Sequence, residues 1–102
     1  MYDNNGTTNN TGNKGGSGEP GANEVWIQNM AFNPSTITVA AGTTITWTNK
    51  DAVIHNVTSN TGLFSSGSIS TGGTFSYTFS TSGTFSYYCT IHPSMTASVT
   101  VN

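Results

Sequence analysis

The stretch TITVAAGTTITWTN, residues 36–49, decides the fold. Thr36 to Ala40 alternates β-branched and apolar side chains, Ala41-Gly42 supplies a turn, and Thr43-Thr44-Ile45-Thr46-Trp47-Thr48-Asn49 resumes the alternation. Ile45 and Trp47 fall on one side of that run and the threonines on the other, which is the period of a half-buried strand. The same period recurs downstream. Thr74 to Phe79 sets Phe75, Tyr77 and Phe79 inward, and Thr81-Ser82-Gly83 turns the chain. Thr84 to Cys89 sets Phe85, Tyr87 and Cys89 on one face, and Ala97 to Asn102 closes with Val99 and Val101 inward. Glu24 to Gln28 opens the set, and His55 to Ser59 makes a further strand. No window carries a helical period and helix formers are scarce, so the pattern predicts an all-β sandwich or barrel.

Residues 1 to 22 differ in kind. Asn, Gly, Thr and Ser dominate, broken by Lys14, Glu19 and Pro20, and such a segment buries too little apolar surface to offset its ordering entropy. It reads as a flexible tether, leaving residues 23–102 as one domain. The whole chain has two basic residues, four acidic ones and a net charge of −2. Lys14 and Lys50 alone cannot form the basic footprint that nucleic-acid binding or a polybasic membrane-surface role requires. No apolar run has the length of a transmembrane helix, and no intact signal peptide is present, which leaves room for an anchor upstream of residue 1. The sequons at Asn5, Asn9 and Asn56 are expected by chance in so Asn- and Thr-rich a chain, and Asn56 is the least plausible acceptor.

Chemistry concentrates in Tyr87-Tyr88-Cys89-Thr90-Ile91-His92-Pro93-Ser94-Met95. The single cysteine, one of the two histidines and a methionine fall within seven residues. Thiolate, imidazole and thioether are the ligand types that a soft metal such as copper selects. The second histidine, His55, shares parity with Val53 and Val57 in Val53-Ile54-His55-Asn56-Val57, so it points inward. Brought alongside, it completes two His, one Cys and a weak Met, the composition of a blue-copper electron-transfer site.

Each residue also has a blander reading. Cys89 alone reads as a buried hydrophobe, His92 as a turn residue before Pro93, His55 as a core histidine with a satisfied hydrogen bond, and Met95 as a gap-filler. The conjunction favours ligation over all four. Met30 competes with Met95 as the thioether, but it reads as core, while Met95 lies three residues from His92. Asn56 points away from the core or along the loop, where its side chain can pin the cysteine-bearing loop by hydrogen bonds.

Met30 to Asp51 (MAFNPSTITVAAGTTITWTNKD), the His55-Asn56 pair and the Cys-x2-His-x2-Met loop together resemble the cupredoxins, over nearly all of residues 24–102. The short loop is similar to that of the amicyanin branch rather than to the longer one of plastocyanin. The resemblance implies a Greek-key sandwich of about eight strands and one type 1 copper per chain. It implies His55, Cys89 and His92 as equatorial ligands and Met95 as the weak axial one. A single cysteine argues against the family's binuclear sites, and the acidic patches of many plant plastocyanins are missing.

The expected function is one-electron transfer, Cu(II) to Cu(I), rather than catalysis. A monomer is expected to dock weakly and transiently onto redox proteins through a largely uncharged surface around the exposed His92, with Leu63, Phe64 and Pro93 as candidate patch residues. The expected location is the periplasm or the outer face of a membrane. Rivals are a copper carrier or storage module without redox turnover, a cysteine hydrolase built on Cys89 with a histidine base, and a structural adhesion domain.

Overall fold

The alternating segments become eight strands in a computed structural model, which describes residues 18–102. They are β1 (Glu24–Gln28), β2 (Ala31–Asn33), β3 (Thr36–Val39), β4 (Thr43–Asn49), β5 (Thr58–Ser59), β6 (Thr74–Phe79), β7 (Gly83–Tyr88) and β8 (Thr96–Val101). Two four-stranded sheets, ordered β2-β1-β4-β6 and β3-β8-β7-β5, form the sandwich. Each sheet is mixed: β1 runs parallel to β4 and β3 runs parallel to β8, while the other neighbours are antiparallel. Among the described residues there is no helix, and hence none long and apolar enough to cross a membrane.

The core lies where the inward positions of the two sheets meet. Val25, Ile27, Ile45, Trp47, Val57 and Val99 are completely buried there, and Tyr87 and Phe79 nearly so. Each such aliphatic or aromatic side chain contributes on the order of 1.5–3 kcal/mol by leaving water. Trp47 is the hub, with the rings of Phe64, Phe75, Phe79 and Tyr87 all within 6.4 Å of its own. The outer threonines pair with one another instead of with charges. Thr44 and Thr46 share hydroxyl hydrogen bonds with Thr78 (2.6 Å) and Ser76 (2.8 Å) across β4 and β6.

Several expectations are corrected. Phe75, Tyr77 and Phe85 do pack against the core as expected, but are only half-buried; for Phe75 and Tyr77, the reason is that β6 is an edge strand. The segment from His55 onward is not a continuous strand: His55 makes an isolated bridge to Ile69, and only Thr58–Ser59 pairs with β7. Val53 accordingly loses strand parity and is 47% exposed. Met30 is not core. It is 46% exposed at the two-residue turn of the β1–β2 hairpin, where Asn29 and Met30 both have positive φ (55° and 58°). A hairpin turn of this hand suits Asn and Gly, so a methionine there costs about 1–2 kcal/mol. Gly42 (φ 94°) occupies the expected β3–β4 turn. The Asn33–Pro34 peptide is cis. Most of the segment read as a tether, with the sequons at Asn5 and Asn9, lies outside the described residues.

Candidate metal centre

Strand pairing brings the two ligand-bearing segments together. Thr58 of β5 pairs with Tyr88 at the end of β7, which sets residues 55–57 beside Cys89 and Thr90. Asn56 then locks the contact, as the sequence suggested. Its Nδ2 donates to Thr90 Oγ1 (2.7 Å), and its Oδ1 accepts from the Thr90 amide (2.9 Å) and the Thr58 hydroxyl (3.1 Å). An amide nitrogen so committed and buried is a poor glycan acceptor. Beyond β7 the chain turns back at once. The Cys89 amide donates to the Met95 carbonyl (3.1 Å) and the Met95 amide to the His92 carbonyl (2.9 Å), closing a short loop that returns Met95 to the cysteine.

His55, Cys89 and His92 each offer one ligand atom, and the three atoms all lie within 4.8 Å of one another. Cys89 Sγ is 3.8 Å from Nδ1 of His55 and 3.8 Å from Nδ1 of His92. For a borderline divalent ion, metal–nitrogen and metal–sulfur bonds of about 2.1 and 2.3 Å opening at about 120° separate their donors by roughly 3.8 Å. Both sulfur–nitrogen separations thus match a small soft or borderline cation. His55 and Cys89 are fully buried, Met95 is buried, and His92 is part-exposed. The imidazole rings of His55 and His92 meet edge to face with centroids 5.0 Å apart. Two imidazoles and a thiolate with a thioether close by select copper over harder ions.

Sequence reasoning passed over Asp51. Its Oδ2 lies 2.8 Å from His55 Nε2, and the same carboxylate accepts the amides of Asn29 (2.8 Å) and Met30 (3.0 Å). Burial pushes the Asp51 carboxyl up, but the Met30 amide, the His55 ring and the Asn29 amide outweigh it and hold the group below its ordinary value of 3.8. The buried Asn49 braces the same segment. Its Oδ1 accepts the Asp51 amide (2.9 Å), while its Nδ2 donates to the carbonyls of Val53 and Ile69 (both 2.8 Å). The available signals were the four-residue spacing of Asp51 from His55 and the scarcity of any other acid. Behind the centre, burial pushes the Tyr87 phenol well above its ordinary range, and the Trp47 indole opposes this only weakly. Neither polar atom has a hydrogen-bond partner of good geometry.

The expected apolar patch is partly misplaced. Phe64 is buried against Trp47. Leu63 is exposed, but it lines a cavity of about 260 Å³ with Ser80, Thr81 and Phe85, by the β6–β7 turn and hence at the end of β7 away from Cys89. Pro93 is exposed beside His92. Ile54 and Ile91, each 48% exposed, and Val53 flank the ligands instead.

The sequence profile of the copper binding proteins, plastocyanin/azurin family, matches residues 21–102. The chain belongs to that family, and copper is its cofactor. Within the family it is similar to amicyanin-alpha of Methylorubrum extorquens, 35% identical over 86 residues that cover 79% of this chain and 72% of the relative. Among solved structures it is similar to a Cu(I) form of an amicyanin point mutant (TM-score 0.76, 33% identity), covering 81% of this chain and 84% of that one. It is also similar to a purple cupredoxin from Nitrosopumilus maritimus (TM-score 0.72, 33% identity), covering 78% of this chain and 98% of that one.

Proposed function

We propose that this protein is a one-electron carrier with a single type 1 copper, which His55, Cys89 and His92 would hold together with the weaker thioether of Met95. The observation that carries the reading is the meeting of three donor atoms from two distant segments, within 4.8 Å of one another, at a buried site. Copper supplies the one-electron exchange between Cu(II) and Cu(I) when bound there. The chain does the rest. Buried Cys89 and His55 exclude water and anchor the site. The backbone bonds that close the loop between Cys89 and Met95, with the Asn56–Thr90 clamp, hold the donors in one arrangement, so little reorganisation accompanies a change of charge. His92, the part-exposed member, is the route by which electrons enter and leave.

Docking rests on apolar rather than charged contacts. Val53, Ile54, Ile91 and Pro93 belong to the ligand-bearing segments and are exposed, and from Val25 to the end of the chain the only charged residues are Lys50 and Asp51. Such a surface suits the small, short-lived encounters of redox carriers. The protein acts as a monomer outside the cytoplasm, in the periplasm or at an outer membrane face, with residues 1–22 as its tether.

Loading with Cu(II) and recording the visible spectrum tests this. An intense thiolate charge-transfer band, absent in Cys89→Ser, is expected together with reversible reduction. The similarity to a purple cupredoxin makes the position of that band informative about the exact ligand field. Stoichiometric copper with only weak colour and no reversible couple would instead indicate a carrier or storage module.

A further inference from the structure

Asp51 is the only acidic residue from Val25 to the end of the chain. Lys50, its neighbour and the only lysine or arginine in that span, lies over the Trp26 ring, 4.3 Å from the centroid. The carboxylate meets three donors at once: His55 Nε2 and the two amides of the Asn29–Met30 turn. The Asp51 backbone is fixed as well, its amide held by Asn49 Oδ1 and its carbonyl by Thr71 Oγ1 (2.8 Å).

We propose that Asp51 is the positioning residue of the copper centre, fixing the ring of His55 and lowering the reduction potential, while the Asn29–Met30 turn holds the carboxylate in place. An ionised carboxylate only accepts hydrogen bonds, so His55 Nε2 is the nitrogen that donates, and Nδ1, which faces Cys89 Sγ, is the nitrogen placed to hold a metal. A carboxylate on the distal nitrogen raises the basicity of an imidazole ligand. Both that effect and the nearby negative charge favour the more highly charged Cu(II). The two amides of the turn converge on the carboxylate and stop it from swinging away. The redox part rests on the electron-carrier reading; the positioning of His55 does not.

Met30→Gly provides the background for the test, because Asn-Gly forms such a turn without help and the fold then no longer depends on Asp51 to hold it. In copper-free Met30→Gly protein, proton NMR is expected to show a His55 ring Nε2–H that is shifted far downfield and slow to exchange. Adding Asp51→Asn should move it upfield and speed its exchange. In the copper-loaded pair, Asp51→Asn should weaken Cu(II) binding by about tenfold or more. Each tenfold loss not matched for Cu(I) raises the potential by about 59 mV. Asp51→Glu should restore part of the shift. A merely structural carboxylate predicts lower thermal stability with the ring proton and the potential unmoved, and that result overturns the proposal. Should neither variant form a coloured copper site, the electron-carrier reading fails, and the ring proton alone decides whether Asp51 positions His55.

Discussion

The two histidines that flank Cys89 sit in opposite surroundings. His55 is wholly buried, bridged through its backbone to Ile69 and gripped at its distal nitrogen by Asp51. His92 is part-exposed on a loop of seven residues between apolar neighbours that face solvent. The same donor atom, Nδ1, lies 3.8 Å from the same sulfur in both. The difference therefore concerns what stands behind each ring. One side of the centre is anchored to the protein, and the other is open to solvent.

Removing each ring in turn gives the largest contrast. His92→Gly should leave a hole open to solvent, so added imidazole should restore the charge-transfer band of the copper-loaded protein. His55→Gly should leave a closed cavity, cost about 3 kcal/mol or more of stability, and not be rescued. Equal rescue of both would erase the distinction between anchor and portal. The next effect falls on the clamp. Asn56→Ala orphans the Thr90 amide and hydroxyl and should cost about 1–3 kcal/mol. Calorimetry should register that as a fall in Tm of about 4–8 °C per kcal/mol, and an unchanged Tm would mean that the loop holds itself.

A smaller effect should appear in acid. The folded-state value of Asp51 lies below its unfolded value, so the unfolded chain binds the proton more readily. The stabilisation is therefore complete above the ordinary carboxylate value and is lost as the pH falls through the depressed one. In copper-free protein, the stability difference between wild type and Asp51→Asn should shrink over that range, and a difference independent of pH would contradict the assignment. The smallest structural effect belongs to the open side. Ile91→Ser should leave stability within about 0.5 kcal/mol and the spectrum unaltered, yet slow electron exchange measured by stopped flow. An unaltered rate would remove Ile91 from the docking surface.

Anchor and portal were unequally visible in the sequence. The open side is nearly contiguous: Cys89, His92 and Met95 form one loop whose spacing could be read directly. On the anchored side, His55 was found by parity with Val53 and Val57, and the result was right although half of the premise was not. Val57 is buried, whereas Val53 is exposed, because its carbonyl is tied to Asn49 in a loop and not paired in a strand. Met30 was misread as core for a related reason. Hydrophobicity says nothing of a turn whose left-handed backbone turns a methionine outward. The hold of the Asn29–Met30 turn on Asp51 went unnoticed because it arises from the parallel pairing of β1 with β4. The Lys50 amide donates to the Ile27 carbonyl (2.8 Å), which brings the following Asp51 beside the Asn29–Met30 turn.

By itself the sequence determined the alternation that makes strands, the burial of Trp47, Tyr87 and Cys89, and the local order of a thiolate, an imidazole and a thioether. These are short-range properties, set by side-chain period and by the length of one loop. Which distant groups meet was decided only by the tertiary structure. His55 reaches Cys89 because β5 pairs with the end of β7, and Asp51, only four residues before His55, meets the strained Asn29–Met30 turn because β1 lies parallel to β4. Pairing between strands far apart in the chain depends on the summed burial of both sheets, and no local window of residues carries that information.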